Sequence, residues 1–248
     1  MKKRLLTILL LVSCSCKAQI PVGFAGIITG TTSTPTLVAH GKADNVNGGF
    51  SNTLTLNTTG ANLLIAIVPV LETGGGGGGN PPHISDGLSN TWLSCTRQGA
   101  GSGGVGGIQI FYCYSPTVSS SQTFTAGGFG GFTATFPTLL VMAFSGMSGS
   151  LVDKQNGAFG NGSIPSALSI ATPSNNNEVV IYGAGVYIPT SATVSGGSLS
   201  VLDYNAPVGS AHGSFDAYII QTTATGFSAT LSNGGSNMFF AHSIAAFK

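Results

Sequence analysis

Acids and histidines, the side chains that most often transfer protons or bind metals, are few and widely separated in this sequence. Glycosidases need two carboxylates about 5–10 Å apart, and here only the fold could bring such a pair together. The histidines have neither the HxH nor the HExxH spacing, and the cysteines do not have the CxxC spacing, that preorganises a metal site. We therefore expect no catalytic residues, no metal and no cofactor. The acids are Asp44, Glu72, Asp86, Asp153, Glu178, Asp203 and Asp216, and the histidines are His40, His83, His212 and His242.

Some of these residues have a simple structural interpretation. Asp86 and Asn90 flank a turn, where their side chains commonly bind backbone groups. Glu178 begins an apolar run and Asp216 alternates within another, so we expect both to face solvent. His242 lies in an apolar run near the end of the chain, where we expect a hydrogen-bonded core residue.

Aromatic residues offer the best candidates for ligand binding. Trp92, Tyr112 and Tyr114 fall on one face if their strands alternate regularly. If that face is exposed to solvent, the three aromatic rings could stack on sugar rings. The alternative is that this face packs inward, as Trp and Tyr commonly do in β-sandwiches.

Cys95 and Cys113 lie on either side of the glycine-rich segment 99–107. A hairpin folded symmetrically about Gly104 would place them opposite each other. An exported protein meets oxidising conditions, so this register predicts a disulfide. The alternative is two buried free thiols.

Residues 1–18 resemble a bacterial export signal. Three basic residues precede the apolar stretch Leu5–Val12, which is too short to cross a bilayer. One cleavage site precedes Cys14 and resembles a lipobox, which would make this cysteine the lipid acceptor of an outer-membrane lipoprotein. The other would leave Gln19 as the first residue of a freely secreted protein. Both sites stay open.

The mature chain is almost uncharged. Residues 19–248 retain four basic side chains against seven acidic ones, a net charge of −3. Nucleic-acid binders need clustered Lys and Arg, so we expect no nucleic-acid partner. Membrane contact would come only through the N-terminal lipid. Surface proteins or glycans remain candidate partners, and self-association is favoured because charge usually prevents strand edges from pairing.

Short β-branched and aromatic runs separated by Gly, Pro, Asn and Ser predict an all-β protein. Residues 19–52 form an N-terminal lead with one or two edge strands. The predicted strands are Thr53–Leu56, Leu63–Val70, Asn90–Arg97, Ile108–Tyr114, Thr123–Ala126, Phe132–Phe136, Thr138–Phe144, Ala167–Ala171, Glu178–Tyr187, Ala192–Leu202, Gly213–Gln221, Gly226–Leu231 and Asn237–Phe247.

The predicted strands repeat. TLTLNTTGANLLIAIV from Thr53 aligns with ALSIATPSNNNEVVIYG from Ala167, and later segments match in the same order. The halves, residues 53–145 and 166–248, predict an antiparallel β-sandwich of the jelly-roll type over residues 53–248, with the halves interleaved. Two separate immunoglobulin-like domains are the alternative.

The pattern ANLLIAIV, SDGLSNTW, IQIFYCYSP and TLLVMAFSG, followed by a variant copy ending in AAFK, resembles jelly-roll-like domains of exported hypothetical surface proteins of bacteria and phages. The resemblance covers residues 53–248 and implies no catalytic residues. The second half departs from it, with Gly196-Gly197 where the first half has the turn before Trp92.

Together these observations predict an exported, non-enzymatic surface module with a structural or adhesive role. A carbohydrate-binding, lectin-like module is the alternative, and a glycoside hydrolase is the third hypothesis.

Overall fold

A computed structural model describes residues 33–44, 49, 51–70, 72–73, 82–99, 107–127, 134–135, 137–149, 151–187, 192–205 and 212–248. The predicted export signal, Cys14 and the glycine run 74–79 lie outside these residues. Every regular element within them is a β-strand, and all strand pairs are antiparallel. This confirms the predicted all-β, antiparallel fold.

In the structure the first half begins earlier than residue 53: it spans residues 36–145 and is a sandwich of two sheets. Its strands are β1 (Thr36–Ala43), β2 (Asn52–Leu56), β3 (Leu63–Val70), β4 (Glu72–Thr73), β5 (His83–Asp86), β6 (Leu93–Ser94), β7 (Gln98–Gly99), β8 (Gly107–Tyr114), β9 (Gln122–Gly127), β10 (Ala134–Thr135) and β11 (Leu139–Ser145). The inner sheet has the strand order β1-β11-β3-β8-β6, and β7 also pairs with β8. The outer sheet has the order β2-β9-β5, while β4 pairs with β10.

The second half begins at residue 152 in the structure, not at 166, and builds the same two layers from longer strands. Its strands are β12 (Val152–Ile170), β13 (Glu178–Tyr187), β14 (Thr193–Ser195), β15 (Ser200–Asn205), β16 (His212–Gln221) and β17 (Phe227–Phe247). The sheet order is β12-β17-β13-β16-β15, and β14 also pairs with β17. A register shift between Ser163 and Pro165 divides the β12 and β17 pair, and the distal part, with β14, forms a three-stranded outer layer.

The two halves share one topology. The order β12-β17-β13-β16-β15 repeats β1-β11-β3-β8-β6 strand for strand. The first strand of each half also carries a bulge at the corresponding place, between Leu37 and Ala39 and between Val152 and Lys154. The sequence relation between the halves stays a prediction, and the shared topology is consistent with it.

Strands pair only within each half among the described residues, so the halves do not interleave as expected. The reason lies in β3, which is buried along its whole length on both faces. Leu64, Ala66 and Val68 face the outer sheet of their own half. Leu63, Ile65 and Ile67 face the second half. The halves are thus joined by face-to-face packing of two sheets.

The joint between the halves is an apolar cluster with reciprocal contacts. Tyr112 of the first half packs on Phe247 of the second with ring centroids 5.4 Å apart, and Phe144 packs on Tyr218 at 5.5 Å. By register, Tyr112 corresponds to Tyr218 and Phe144 to Phe247. Such exchange of equivalent contacts is the pattern of a two-fold symmetric interface.

Close approach at this joint requires glycine at position 183. A Cβ added to Gly183 of β13 would lie 2.7 Å from Cγ2 of Ile67. The corresponding residue in the first half is Ile67 itself, so a large side chain from one half fills the space that glycine leaves in the other.

Candidate functional site

The three aromatic residues predicted to share a face do not do so. Trp92 packs on Phe124 in the cluster between the first half's own sheets, with ring centroids 6.1 Å apart. Tyr112 and Tyr114 contact the opposite cluster, between the halves. The register differs by three positions from the symmetric hairpin: Leu93 pairs with Tyr112, where that hairpin would pair it with Ser115, and an odd shift reverses the face.

Trp92 and its neighbours are held by Asp86. One oxygen of Asp86 accepts hydrogen bonds from the backbone N–H groups of Leu88 (2.9 Å) and Asn90 (3.2 Å). The other accepts from the Asn90 side chain and from Trp92 Nε1, both at 3.0 Å. Ser89, within this turn, has a left-handed φ of 58°. Asp86 therefore stabilises the turn, as its position in the sequence suggested.

Tyr114 connects the halves. Its hydroxyl donates a hydrogen bond to the backbone carbonyl of Lys248 at 2.9 Å. Burial raises the pKa of Tyr114 well above its ordinary value, so the hydroxyl stays protonated and remains a donor. This residue, predicted as a ligand-binding side chain, thus fastens the end of the chain to the first half.

The predicted disulfide is not formed. Cys95 and Cys113 are buried free thiols. The Cys95 N–H donates to the carbonyl of Ile110, so Cys95 lies beside residue 110, not 113. Cys95 belongs to the cluster between the halves and Cys113 to the cluster on the other face of the same sheet. Side chains on opposite faces cannot be bridged.

A polar cluster that no sequence pattern indicated lies where the edge strands β1 and β15 meet. His40 Nδ1 is 2.9 Å from Asp203 Oδ2, which joins the two halves. The Asp203 N–H donates to Asp216 Oδ1 at 2.8 Å. Asp216 is fully buried, and its Oδ2 has no hydrogen-bond partner. The expectation that Asp216 faces solvent was therefore wrong.

The carboxyl group of Asp216 is in an unfavourable place for a charge. Burial and the facing Asp203 raise its pKa to about 8, against smaller opposing effects that include Lys42. Asp216 is therefore mostly neutral at pH 7. Asp203 and Asp216 pair directly across β15 and β16, and two like charges in such positions repel each other.

The corresponding contact on the other side of the joint carries no charge. There Gln155 of β12 accepts a hydrogen bond from the N–H of Thr96 at 2.8 Å. By register, Gln155 corresponds to His40. Cys95 and Ile110 likewise occupy the positions of Asp203 and Asp216. The charged contact is therefore particular to one side of the joint.

A second carboxylate pair lies near the C-terminus. Asp153 accepts hydrogen bonds from the Ser174 N–H (2.6 Å) and hydroxyl (2.7 Å). Burial opposes its charge, but these bonds and two lysines hold the pKa of Asp153 below its ordinary value. Glu178, expected to face solvent, is fully buried and accepts a hydrogen bond from the Asn175 N–H at 3.0 Å. Burial raises the pKa of Glu178.

Carboxylates with pKa values displaced in opposite directions can serve as acid and base in hydrolysis. Here Asp153 is engaged by the loop before β13, and Glu178 has no exposed surface. Both act in this structure as hydrogen-bond acceptors for the turn 174–178.

His242 is the core residue that its sequence context predicted. Its Nδ1 lies 3.0 Å from the hydroxyl of Tyr182, and both residues are buried within the second half. Burial lowers the pKa of His242 to about 4. The imidazole is therefore neutral at pH 7.

Among the described residues, no three His, Cys, Asp or Glu side chains are grouped so that they could hold a metal ion. The part of the chain that the structure describes contains no helix with the length and apolarity needed to cross a bilayer.

No protein-family model, curated protein or solved structure matches this chain.

Proposed function

We propose that this protein is an exported, non-enzymatic module with a structural or adhesive role at a cell surface. The observation that carries the proposal is the use of its polar side chains at the joint between the halves. His40 with Asp203, Gln155 with Thr96 and Tyr114 with Lys248 each connect one half to the other. The joint also contains a continuous apolar cluster.

Such a joint favours a rigid double sandwich. Domains linked by small, polar interfaces move relative to each other by default, and a large apolar interface suppresses that motion. Here Ile65 and Ile181 from the two central strands are fully buried in the shared cluster. A rigid unit with little charge is suited to projecting from a surface or bearing load.

The export signal and the composition agree with this role. The basic and apolar segment within residues 1–18 is typical of a secreted precursor. The mature surface depends on Ser, Thr, Asn and Gly for solubility, as is common for extracellular β-proteins.

The test uses bacterial cells that produce the full chain with its own leader. We expect protease added to intact cells to degrade the protein, and producing cells to be retained on protein-coated or glycan-coated surfaces more strongly than cells without it. Purified protein should leave oligosaccharides intact when reducing ends are assayed. Protein confined to the cytoplasm, or unchanged retention on every surface, would refute the proposal. Release of reducing ends would favour the hydrolase.

A further inference from the structure

The joint between the halves has two corners that are equivalent by register and differ in chemistry. At one corner, His40 of β1 lies 2.9 Å from Asp203 of β15, and Asp203 pairs directly with Asp216 of β16. We call these three residues the acidic corner. At the other corner, Cys95 and Ile110 occupy the positions of Asp203 and Asp216. A change of charge can therefore act on one corner alone.

Asp216 is poorly placed to carry a charge while the acidic corner is closed. Its side chain is fully buried, and its Oδ2 has no hydrogen-bond partner. Its Oδ1 accepts a hydrogen bond from the Asp203 N–H at 2.8 Å. Ionisation would leave a buried carboxylate with this one hydrogen bond, beside a second carboxyl group. Such an arrangement is costly unless water reaches the carboxylate.

The elements packed around Asp216 offer little compensating charge. Lys42 is the positive group that favours its ionised form, and Nζ of Lys42 also lies 3.4 Å from Oδ2 of Asp44. On the neighbouring strand β13, Gly183 lies directly opposite Asp216. The titratable and charged groups of the described residues that face this corner are His40, Lys42, Asp44 and Asp203.

β15 is the element whose movement would admit water to Asp216. Among the described residues it pairs with β16 alone, at the edge of its sheet, and a bulge between Val201 and Asp203 interrupts that pairing. None of residues 200–203 is fully buried, and Ser200 and Val201 are exposed. Segments with few buried contacts open at low cost while the rest of the fold stays intact.

We propose that the acidic corner is a pH-sensitive latch, in which ionisation of Asp216 releases β15 from β16 and from β1 while the corner at Cys95 stays closed. The inference stands independently of the proposed function. It gives the joint a rigidity that depends on pH at one corner.

The direction of the response follows from proton linkage. Burial and the facing Asp203 raise the pKa of Asp216 in the closed corner to about 8, and access to water returns it to the ordinary value of 3.8. Between these values the closed state holds one proton more than the open state. The latch is therefore closed in acid, and the ratio of open to closed molecules rises about tenfold per pH unit as pH increases from 5 to 7.

Hydrogen exchange of the ¹⁵N-labelled chain without its predicted signal, residues 19–248, measures this opening at single amides by NMR. The Asp203 N–H, which donates to Asp216, reports on the latch. The Cys95 N–H, which donates to Ile110 at the equivalent position, is the matched control. The ratio of the two exchange rates cancels their common dependence on hydroxide.

We expect the ratio of the Asp203 rate to the Cys95 rate to rise about a hundredfold between pH 5 and pH 7. A constant ratio would overturn the proposal, whether neither corner responds to pH or both open together.

Two variants assign the response to its residues. Asp216→Asn retains an acceptor for the Asp203 N–H and cannot ionise, so the ratio should stay constant with pH; a hundredfold rise in this variant would overturn the role of Asp216. His40→Ala removes the contact between the halves at this corner and should speed exchange of the Asp203 N–H about fivefold at pH 5. Equal acceleration at Cys95 would show that the joint opens as a whole and would contradict the latch. The measurements on wild type and His40→Ala decide the proposal even if Asp216→Asn fails to fold.

Discussion

Replacing Asp216 by asparagine tests the most unusual polar contact of the joint. Asp216 lies fully buried beside Asp203, within reach of the charge of Lys42, while His40 binds Asp203 from the facing strand. Asparagine has nearly the same shape and cannot ionise. Its Oδ1 can still accept the hydrogen bond from the Asp203 N–H, so the substitution removes the titration and leaves the contact.

The size of the effect follows from the pKa of Asp216. The ordinary value of 3.8 applies to the unfolded chain, and burial raises the value in the folded protein to about 8. Between these values the folded state holds one proton more than the unfolded state, so stability falls by about 1.4 kcal/mol per pH unit as pH rises. At pH 7 the accumulated loss is about 4 kcal/mol.

Asparagine avoids this loss but introduces an extra N–H without a partner at the place of Oδ2, which costs about 1–2 kcal/mol. Asp216→Asn should therefore be more stable than wild type at pH 7 by about 2–3 kcal/mol. For a protein of this size, such a gain corresponds to a rise in Tm of about 4–12 °C. At pH 4.5 the advantage should disappear, because the accumulated loss of wild type is then only about 1 kcal/mol and no longer exceeds the cost of the extra N–H.

Thermal unfolding of both proteins between pH 4.5 and 7.5 measures the difference. Asp153→Asn is the matched control with the opposite sign, because hydrogen bonds from Ser174 hold the pKa of Asp153 below its ordinary value. This control should be less stable than wild type at neutral pH, and its deficit should shrink in acid. Parallel pH profiles for wild type and Asp216→Asn would show that Asp216 is ionised in the folded protein and would refute the reasoning.

Three further predictions concern single side chains. Cys95 and Cys113 should resist iodoacetamide in the native, non-reduced protein and react fully in denaturant, because burial raises their pKa values to about 12 and about 11; a two-hydrogen mass deficit would contradict free thiols. His242 should stay neutral until about pH 4 in an NMR titration, so stability should fall as pH drops from 6.5 towards 4; titration near pH 6.5 would show that the imidazole is solvated. Cys14→Ala should abolish lipid attachment and membrane retention, whereas an unlipidated mature mass beginning at Gln19 would exclude lipidation.

The local pattern of the sequence was sufficient to locate the central strands. Leu63–Val70 and Glu178–Tyr187 were predicted with the bounds that the structure shows. Both are long apolar runs, and such runs are expected in central strands, where both faces of the strand are buried. The expected strand Asn90–Arg97 is instead reduced to a pairing at Leu93–Ser94, because Asp86 holds the preceding residues in a turn.

Long edge strands were harder to predict. Residues 145–166 were expected to join the halves, but most of them belong to β12, which continues to Ile170. The last two predicted strands are one strand, β17. Glycine and asparagine have low β-propensity, and here pairing between β12 and β17 keeps these residues extended. That pairing is a contact between distant parts of the chain, so it cannot be predicted from a local sequence pattern.

Sequence alone determined the all-β class and the spacing of the central strands, because both depend on side-chain types over a few neighbouring residues. Only the tertiary structure decided which face each residue occupies and which residues meet. Trp92 and Tyr112 were separated, and Cys95 was turned away from Cys113, by an offset of register between strands. Asp216, a residue of the second half, was buried where the first half packs onto it. A strand alternates its faces at every residue, so a register error of one position reverses every side chain, and register is set by contacts between segments far apart in the chain.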